Sequence, residues 1–182
     1  MFLKRELMSL KDKLKKCPDK DRPFIEYMSS LKRKNLVGVE IGVYTAANAN
    51  RIINRLNIKK LYLIDPYEVD SGNFNRFEAR SKAVLRVSGY GNTQFIFKKS
   101  SEAVKDIDGL VDFVYIDGSH QQEDVTADLF NYYNLVKDSG IIAGDNYEML
   151  SVKIPVDIFS KDVKAKLTIK SWEQAIEWWF IK

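Results

Sequence analysis

The sequence predicts an α/β fold: a doubly wound, mostly parallel sheet of about seven strands, with helices on both faces and an antiparallel C-terminal strand pair. Short apolar runs alternate with helical patterns five times between residues 36 and 145. These runs are continuously apolar, as expected when both faces of a parallel sheet are covered. The runs at 165–170 and 177–181 follow each other without a helix between them. The combination predicts a Rossmann-like architecture.

Residues 1–35 are predicted to form an N-terminal helical segment. One face of its first helix carries leucines at intervals of four, three and four residues, namely Leu3, Leu7, Leu10 and Leu14. Pro18 and the polar residues after it end this helix, and Pro23 suits the start of a second one that continues to about Lys34. Three roles are open for the segment: a lid or docking helix, a dimer contact through the leucine face, or a contact with phosphate or a membrane surface.

Residues 36–182 are predicted to form one domain, because no internal repeat, low-complexity tract or linker divides them. Its parallel strands are expected at 36–42, 61–66, 95–97, 111–117 and 140–145. The intervening helices are expected at 46–57, 74–88, 101–107 and 122–136. Gly42 and Pro66 mark the ends of the first two strands, since neither residue favours continuing a strand.

The composition excludes several classes of protein. Of the 182 residues, 45% are apolar, which excludes a disordered chain. The single Cys excludes an intramolecular disulfide framework, and one Cys with one His excludes the common structural zinc sites. No run approaches the length of a membrane span, and charges interrupt every apolar run near the N-terminus, so no signal peptide is expected. A reducing, cytoplasmic setting is the expectation.

The positive charge of the chain lies at its N-terminus. Residues 1–35 hold 11 Lys and Arg against 5 Asp and Glu, whereas the remaining 147 residues hold 18 against 20. A nucleic-acid-binding domain usually carries a basic face on its body. Nucleic acid is therefore not the favoured partner.

Carboxylates stand at four of the five predicted strand ends. Ligands of open α/β sheets bind outside the carboxyl ends of the strands, so these residues are candidates for a functional site. In chain order the strand-end residues are Glu40 and Gly42, Asp65, Ser100 and Ser101, Asp117, and Asp145 with Asn146. Asp is also common in helix caps and turns, which is the alternative interpretation. Four carboxylates in equivalent places favour a site.

The first two strands indicate a nucleoside cofactor. Gly42 permits close backbone approach at the first turn, and Asp65 follows it by 23 residues, near the spacing at which an acidic side chain meets a ribose hydroxyl. The turn has one Gly rather than the three of a pyrophosphate-binding turn. A cofactor with a ribose but no pyrophosphate therefore fits better than NAD or FAD.

Five stretches together carry a family resemblance: VEIGVY at 39–44, IDPY at 64–67, KSSEA at 99–103, FVYIDGSH at 113–120 and GIIAGDNY at 140–147. In this order and spacing the chain resembles the class I S-adenosylmethionine-dependent methyltransferases. It is most similar to the small O-methyltransferases related to catechol and caffeoyl-CoA O-methyltransferases, and to bacterial families with an Ile-Asp-Gly-x-His motif. The resemblance runs from about residue 36 to the C-terminus.

The resemblance implies roles in binding S-adenosylmethionine. Glu40 and Gly42 would line the methionine part, with Tyr44 beside it. Asp65 would hold the ribose hydroxyls, and Ser101 would lie near the adenine. Asp117 would border the cofactor. Two positions depart from the family pattern. Ala46 stands where these enzymes usually have Gly, and Asn48 where the catechol enzymes have Ser.

A magnesium site is the second implication. Asp117, Asp145 and Asn146 are separated by 28 residues and 1 residue, and in the catechol-type enzymes an Asp, an Asp and an Asn at this spacing hold Mg²⁺. Mg²⁺ prefers hard oxygen ligands, and the fourth and fifth strands should be neighbours. A bound cation would orient the acceptor hydroxyl and lower its pKa. The alternative is that both aspartates only cap helices or order loops.

His120, the only His, is the candidate base. It lies three residues after Asp117, where the catechol enzymes have a Lys. A neutral imidazole can accept a hydroxyl proton near neutral pH. A place beside the metal, or direct ligation of it, is the other interpretation.

The sequence thus predicts O-methylation of a small hydroxylated molecule, such as a sugar or a phenol, with His120 and Asp117 as the catalytic residues. Methylation of nucleic acid or protein is the alternative, in which the basic N-terminal segment would assist binding. A catalytically silent cofactor-binding module is a third hypothesis. Substrate contacts in this architecture lie in loops, so the sequence does not identify the acceptor.

Overall fold

A computed structural model describes residues 2–17, 20–67, 75–173 and 175–182 of the chain. Its strands are β1 (Leu36–Ile41), β2 (Ile58–Ile64), β3 (Thr93–Ile96), β4 (Val111–Ile116), β5 (Val136–Gly144), β6 (Thr168–Trp172) and β7 (Ala175–Ile181). Its α-helices are α1 (Phe2–Lys15), α2 (Pro23–Ser30), α3 (Ala47–Arg55), α4 (Asn75–Val87), α5 (Ser100–Ala103), α6 (Gln122–Tyr133) and α7 (Leu150–Asp162), and a 3₁₀ turn spans Val104–Asp106. None of the helices in these ranges is long and apolar enough to cross a membrane.

The strands form one sheet in the order β3-β2-β1-β4-β5-β7-β6. Strands β1 to β5 pair in parallel, whereas β7 is antiparallel to both β5 and β6. This confirms the predicted doubly wound sheet and its antiparallel C-terminal pair. The strand order reverses between the adjacent strands β1 and β4, and in such sheets that point opens a crevice at the carboxyl ends of the strands.

The helices and strands follow the predicted alternation, but one helix was not predicted and several strand starts differ, among them β2 at Ile58 and β6 at Thr168. Helix α7 fills a region in which the sequence analysis identifies no element, and Pro155 inside it is a residue that argues against a helix. Val152, Val156 and Phe159 nevertheless recur at helical spacing and are all buried. Strand β5 begins at Val136, four residues before the predicted start.

Helix α2 is part of the core. Phe24 and Ile25 are fully buried, and the Phe24 ring centroid lies 5.8 Å from that of Phe113 and 5.2 Å from that of Tyr115. Burial of this size stabilises each side chain by about 1.5–3 kcal/mol. Residues just before Pro23 are thereby held against β4, close to the crevice.

The end of α1 is held against α3 and α4. Nε of Arg86 donates a hydrogen bond of 2.8 Å to the Leu14 carbonyl, and Nδ2 of Asn50 donates one of 3.2 Å to the Lys15 carbonyl. The Arg86 guanidinium also donates to the carbonyl oxygen of Thr45, in the loop after β1. One side chain therefore connects the N-terminal helix to a strand-end loop.

Candidate active site

A cavity of about 410 Å³ lies at the carboxyl ends of β1, β2 and β4. It is lined by five of the residues that the sequence analysis assigns to a cofactor, namely Gly42, Tyr44, Asp65, Ser101 and Asp117. Glu40 is buried at the end of β1, with 1% of its surface exposed. The topology thus brings together residues from three strands and the start of α5, as expected for ligand sites in open α/β sheets.

Gly42 is required by the close approach of β1 to the segment after β4. Its φ of +84° lies in the left-handed region, and a Cβ atom placed there would be 2.0 Å from the Asp117 carbonyl oxygen. Any side chain would collide with the backbone as well as strain the turn. The absence of a side chain lets the end of β1 and the segment after β4 approach each other at the floor of the crevice.

The Asp65 carboxylate organises the loop after β1. Its Oδ2 accepts hydrogen bonds from the backbone N–H groups of Val43 at 3.1 Å and Tyr44 at 2.9 Å. Its Oδ1 accepts one from the N–H of Tyr67 at 2.9 Å. A carboxylate offers about four acceptor positions, so one remains on Oδ1 for a donor in the cavity.

Four residues in the strand-end loops hold left-handed backbone conformations. They are Tyr44 (φ +47°), Ala46 (φ +56°), Tyr67 (φ +47°) and Asn146 (φ +57°). Such conformations cost about 1–3 kcal/mol each for residues other than Gly and cluster at functional sites. The conformation of Ala46 explains why a Gly suits this position in the family that the sequence resembles.

Glu40 keeps one buried oxygen without a partner. Its Oε1 accepts a hydrogen bond of 3.0 Å from Nδ2 of Asn48, whereas Oε2 has no hydrogen-bond partner among the described residues. Burial raises the pKa of Glu40 from 4.5 to about 8. A buried carboxyl group of this kind can accept a cationic donor, and pKa shifts of this size are concentrated at functional sites.

Asp117, which lines the cavity, forms a pair with His120. Nε2 of His120 lies 3.7 Å from Oδ1 of Asp117, an ion-pair distance that is too long for a hydrogen bond. The Asp117 carboxylate raises the pKa of His120 above its ordinary value, and burial raises the pKa of Asp117. The pair can therefore hold a proton near neutral pH.

The structure does not support the magnesium site predicted from the sequence. Oδ2 of Asp145 accepts from the Arg22 guanidinium, and Oδ1 accepts a 2.8 Å hydrogen bond from the N–H of Asn146. The Asn146 side-chain amide donates to Glu148 at 3.3 Å. Within the described ranges no three His, Cys, Asp or Glu side chains are placed to hold a metal ion. The Arg22 guanidinium already supplies a buried positive charge at Asp145, so the environment of this carboxylate does not fit a metal ligand.

Three residues of this region escaped the sequence analysis: Arg22, Glu177 and Asp128. Asp128 on α6 lines the cavity, is only 2% exposed, and burial raises its pKa to about 6. The sequence does contain a signal that Asp128 is buried, because it lies at helical spacing on the apolar face formed by Val125 and Leu129. Arg22 had no comparable local signal, since its partner Asp145 lies 123 residues away.

The sequence pattern of a methyltransferase domain family matches residues 37–147, which is more than half of the chain. One sequence relative is an uncharacterized protein, R132, from Acanthamoeba polyphaga mimivirus. It is 25% identical over an alignment of 126 positions, and the match covers 66% of this chain and 55% of the relative. The chain thus spans about half the length of this relative.

Two solved structures share the fold. One is a candidate methyltransferase from Streptococcus mutans, SMU.1697c, which was crystallised with S-adenosylhomocysteine. Its TM-score is 0.70 at 14% identity, and the match covers 90% of this chain and 99% of that one. A candidate caffeoyl-CoA O-methyltransferase from Staphylococcus aureus has a TM-score of 0.68 at 14% identity, covering 97% and 92%. The chain belongs to the methyltransferase domain family and has the fold of the class I S-adenosylmethionine-dependent methyltransferases.

Proposed function

We propose that this chain is an S-adenosylmethionine-dependent methyltransferase that transfers the methyl group to a hydroxyl oxygen of a small molecule. The observation that carries this proposal is one cavity lined by both Asp65, suited to a ribose, and Asp117, whose Oδ1 lies 3.7 Å from Nε2 of His120. The family match supports a methyltransferase. The choice of oxygen as the acceptor atom rests on the His120 pair and on the resemblance to O-methyltransferases.

The residues present fit this cofactor. Oε2 of Glu40 is buried without a partner among the described residues, and the backbone at Gly42 approaches its neighbours too closely for any side chain. We assign Glu40, Gly42 and Tyr44 to the methionine part, Asp65 to the ribose, and Ser101 to the adenine. Asp128 lines the cavity near Ser101 and offers a further buried acceptor to the base.

S-adenosylmethionine, when bound, supplies an activated methyl group on a sulfonium. The cavity residues would hold the acceptor hydroxyl close to this methyl group. His120 takes the proton of the acceptor hydroxyl as the new C–O bond forms, and Asp117 stabilises the imidazolium that results. The products of this transfer would be the methyl ether, S-adenosylhomocysteine and a proton held on His120, so the positive charge of the sulfonium passes to the imidazolium.

No divalent cation enters this mechanism, because Asp145 already accepts from Arg22 and from the Asn146 backbone. Activation of the acceptor hydroxyl therefore rests on His120.

The N-terminal segment 1–35 is proposed to dock beside the site. Support comes from Arg86, which donates both to Leu14 at the end of α1 and to Thr45 in the loop after β1. The rest of the domain, 36–182, would carry the cofactor and the acceptor. A homodimer and a cytoplasmic setting remain predictions from the sequence.

Isothermal titration calorimetry with S-adenosylmethionine and S-adenosylhomocysteine tests the proposal. Wild-type protein should bind both, and Asp65→Ala should lose at least about tenfold in affinity because hydrogen bonds to a charged group contribute about 1.5–3 kcal/mol. Asp138→Ala is the matched control, since Asp138 is exposed and lies in the first half of β5, away from the cavity. Failure of the wild type to bind either ligand would reject the proposal.

The acceptor class is tested by release of S-adenosylhomocysteine with a panel of phenols, vicinal diols and sugars. We expect turnover with at least one class and only a shallow dependence on salt. Turnover only with RNA, DNA or protein, and a steep fall in binding with salt, would contradict a small-molecule acceptor.

A further inference from the structure

The carboxyl end of β5 and the adjacent amino end of β7 contain a buried ion cluster, formed by Arg22, Asp145 and Glu177. The Arg22 guanidinium bonds Oδ2 of Asp145, and its Nε lies 2.7 Å from Oε1 of Glu177. All three side chains are less than a tenth exposed. Arg22 comes from the segment before α2, whereas the two carboxylates come from the C-terminal half of the sheet.

The remaining carboxylate oxygens of the cluster have protein donors. Oε1 of Glu177 also accepts from the Tyr115 hydroxyl at 2.5 Å, and Oε2 accepts from the N–H of Phe24 at 2.9 Å. Oδ1 of Asp145 accepts from the N–H of Asn146 at 2.8 Å. Every carboxylate oxygen of Asp145 and Glu177 is therefore bonded to a donor from the chain itself.

Aromatic rings enclose the guanidinium. Cζ of Arg22 lies 4.9 Å from the ring centroid of Trp172 and 5.5 Å from that of Tyr115. Both distances are within the range of cation–π attraction, which is stronger for a desolvated cation. The planar guanidinium suits this place between rings and carboxylates, whereas a hydrated Mg²⁺ needs about six oxygen ligands in octahedral geometry.

We propose that Arg22 is the resident cation at Asp145, in the place that the sequence pattern assigns to a divalent metal ion, and that the chain binds no divalent ion there. A metal ion on Asp145 would face the Arg22 guanidinium at close range and would be repelled by it. Arg22 is a positioning residue: it orients Asp145 and Glu177 and fastens the segment before α2 to the site. The assignment of Arg22 does not depend on the proposed function. Only the statement that methyl transfer proceeds without a metal ion rests on it.

Binding of Mn²⁺ to the 182-residue chain, measured by calorimetry and water-proton relaxation, tests directly whether Asp145 holds a divalent ion. Wild-type protein and Asp145→Asn should take up the same amount of Mn²⁺, in the presence and in the absence of S-adenosylhomocysteine. Saturable Mn²⁺ binding by the wild type that Asp145→Asn abolishes would overturn the proposal.

A double-mutant cycle tests the positioning role. Urea unfolding is compared for the wild type, Arg22→Gln, Asp145→Asn and the double variant. The double variant should lose less stability than the sum of the single variants, by a factor of about 10 or more in the unfolding equilibrium constant, because Arg22→Gln alone leaves the Asp145 carboxylate buried without its cation and the double variant removes that charge as well. Strictly additive losses would overturn the pairing.

Two further variants make the cycle interpretable. Arg33→Gln is the matched control, because Nη1 of Arg33 donates to the Ser139 carbonyl at the opposite end of β5, and this variant should show no coupling to Asp145→Asn. If Arg22→Gln fails to fold, Arg22→Lys is used in its place. Arg22→Lys should retain part of the coupling to Asp145, because lysine keeps the positive charge but lacks the planar guanidinium.

The result is separable from the methyltransferase proposal. Binding of S-adenosylhomocysteine is measured on the same samples. Absence of that binding would reject the proposed function, while the Mn²⁺ titration and the unfolding cycle would still decide the assignment of Arg22.

Discussion

Nδ2 of Asn48 donates a 3.0 Å hydrogen bond to Oε1 of Glu40, a carboxyl group that is 1% exposed. The hydrogen bond favours the charged form of Glu40, but burial opposes it more strongly and raises the pKa to about 8. Most Glu40 side chains are therefore protonated at pH 7 when the cavity is empty. This relationship gives the cofactor site a measurable proton linkage.

Binding of S-adenosylhomocysteine should release protons from Glu40 near pH 7. The ammonium of the ligand would pair with Oε2 and favour the carboxylate, so the pKa of Glu40 would fall on binding. Calorimetry in phosphate and in Tris should give different heats that correspond to release of a substantial part of one proton. Glu40→Gln should abolish the difference and weaken binding. Identical heats in both buffers would contradict the assignment of Glu40.

Glu40 should also make the stability of the empty protein depend on pH. Its folded-state pKa of about 8 lies above the ordinary 4.5, so the folded state binds more protons than the unfolded state between these values. Stability should fall as pH rises through this window, by up to about 1.4 kcal/mol per pH unit. Urea unfolding at several pH values checks this, and Glu40→Gln should show a flatter profile. A Glu40→Gln profile parallel to that of the wild type would refute the linkage.

His120 should set the acidic limb of the pH–rate profile. The base must be neutral, and Asp117 raises the pKa of His120 above 6.5, so kcat should rise with pH through a midpoint above that value. His120→Asn should lower kcat by about 10²–10⁴ and remove the limb, while Asp117→Asn should move the midpoint toward lower pH. A wild-type limb that persists in His120→Asn would exclude His120 as the base.

Gly42→Ala should destabilise the protein and impair binding of S-adenosylhomocysteine. The added Cβ would lie 2.0 Å from the Asp117 carbonyl oxygen in a turn with φ of +84°, and we expect a loss of about 2–4 kcal/mol from strain and overpacking. Gly91→Ala is the control, because a Cβ there meets nothing within 4 Å, and its effect should be within about 0.5 kcal/mol. Equal effects of the two substitutions would show that the turn tolerates a side chain.

The fold was predictable because the signals for its strands are local. A strand covered on both faces needs a continuous apolar run, so β1 and β4 are visible in the sequence without knowledge of their neighbours. Helix α7 was not predicted, and Pro155 within it is a residue that local propensity disfavours inside a helix. Packing of Val156 and Phe159 into the core stabilises this helix, and helix propensities read from neighbouring residues do not include that tertiary contribution.

The cofactor side of the candidate site was also predictable, for a topological reason. Strand order and parallel direction place the residues after β1, β2 and β4 at one edge, so Gly42, Asp65 and Asp117 meet in one cavity. Their roles in binding are proposals, but their proximity required only the alternation of strands and helices.

The sequence by itself determined the doubly wound sheet and the strand-end positions of the polar residues, because both depend on periodicity and chain direction. Only the tertiary structure decided what Asp145 binds. Its partner Arg22 is 123 residues away, in a segment held near the sheet by the burial of Phe24 and its neighbours. The pattern of residues along the chain indicates which residues end strands. The cation that pairs with a buried carboxylate depends instead on how a segment distant in sequence packs against it.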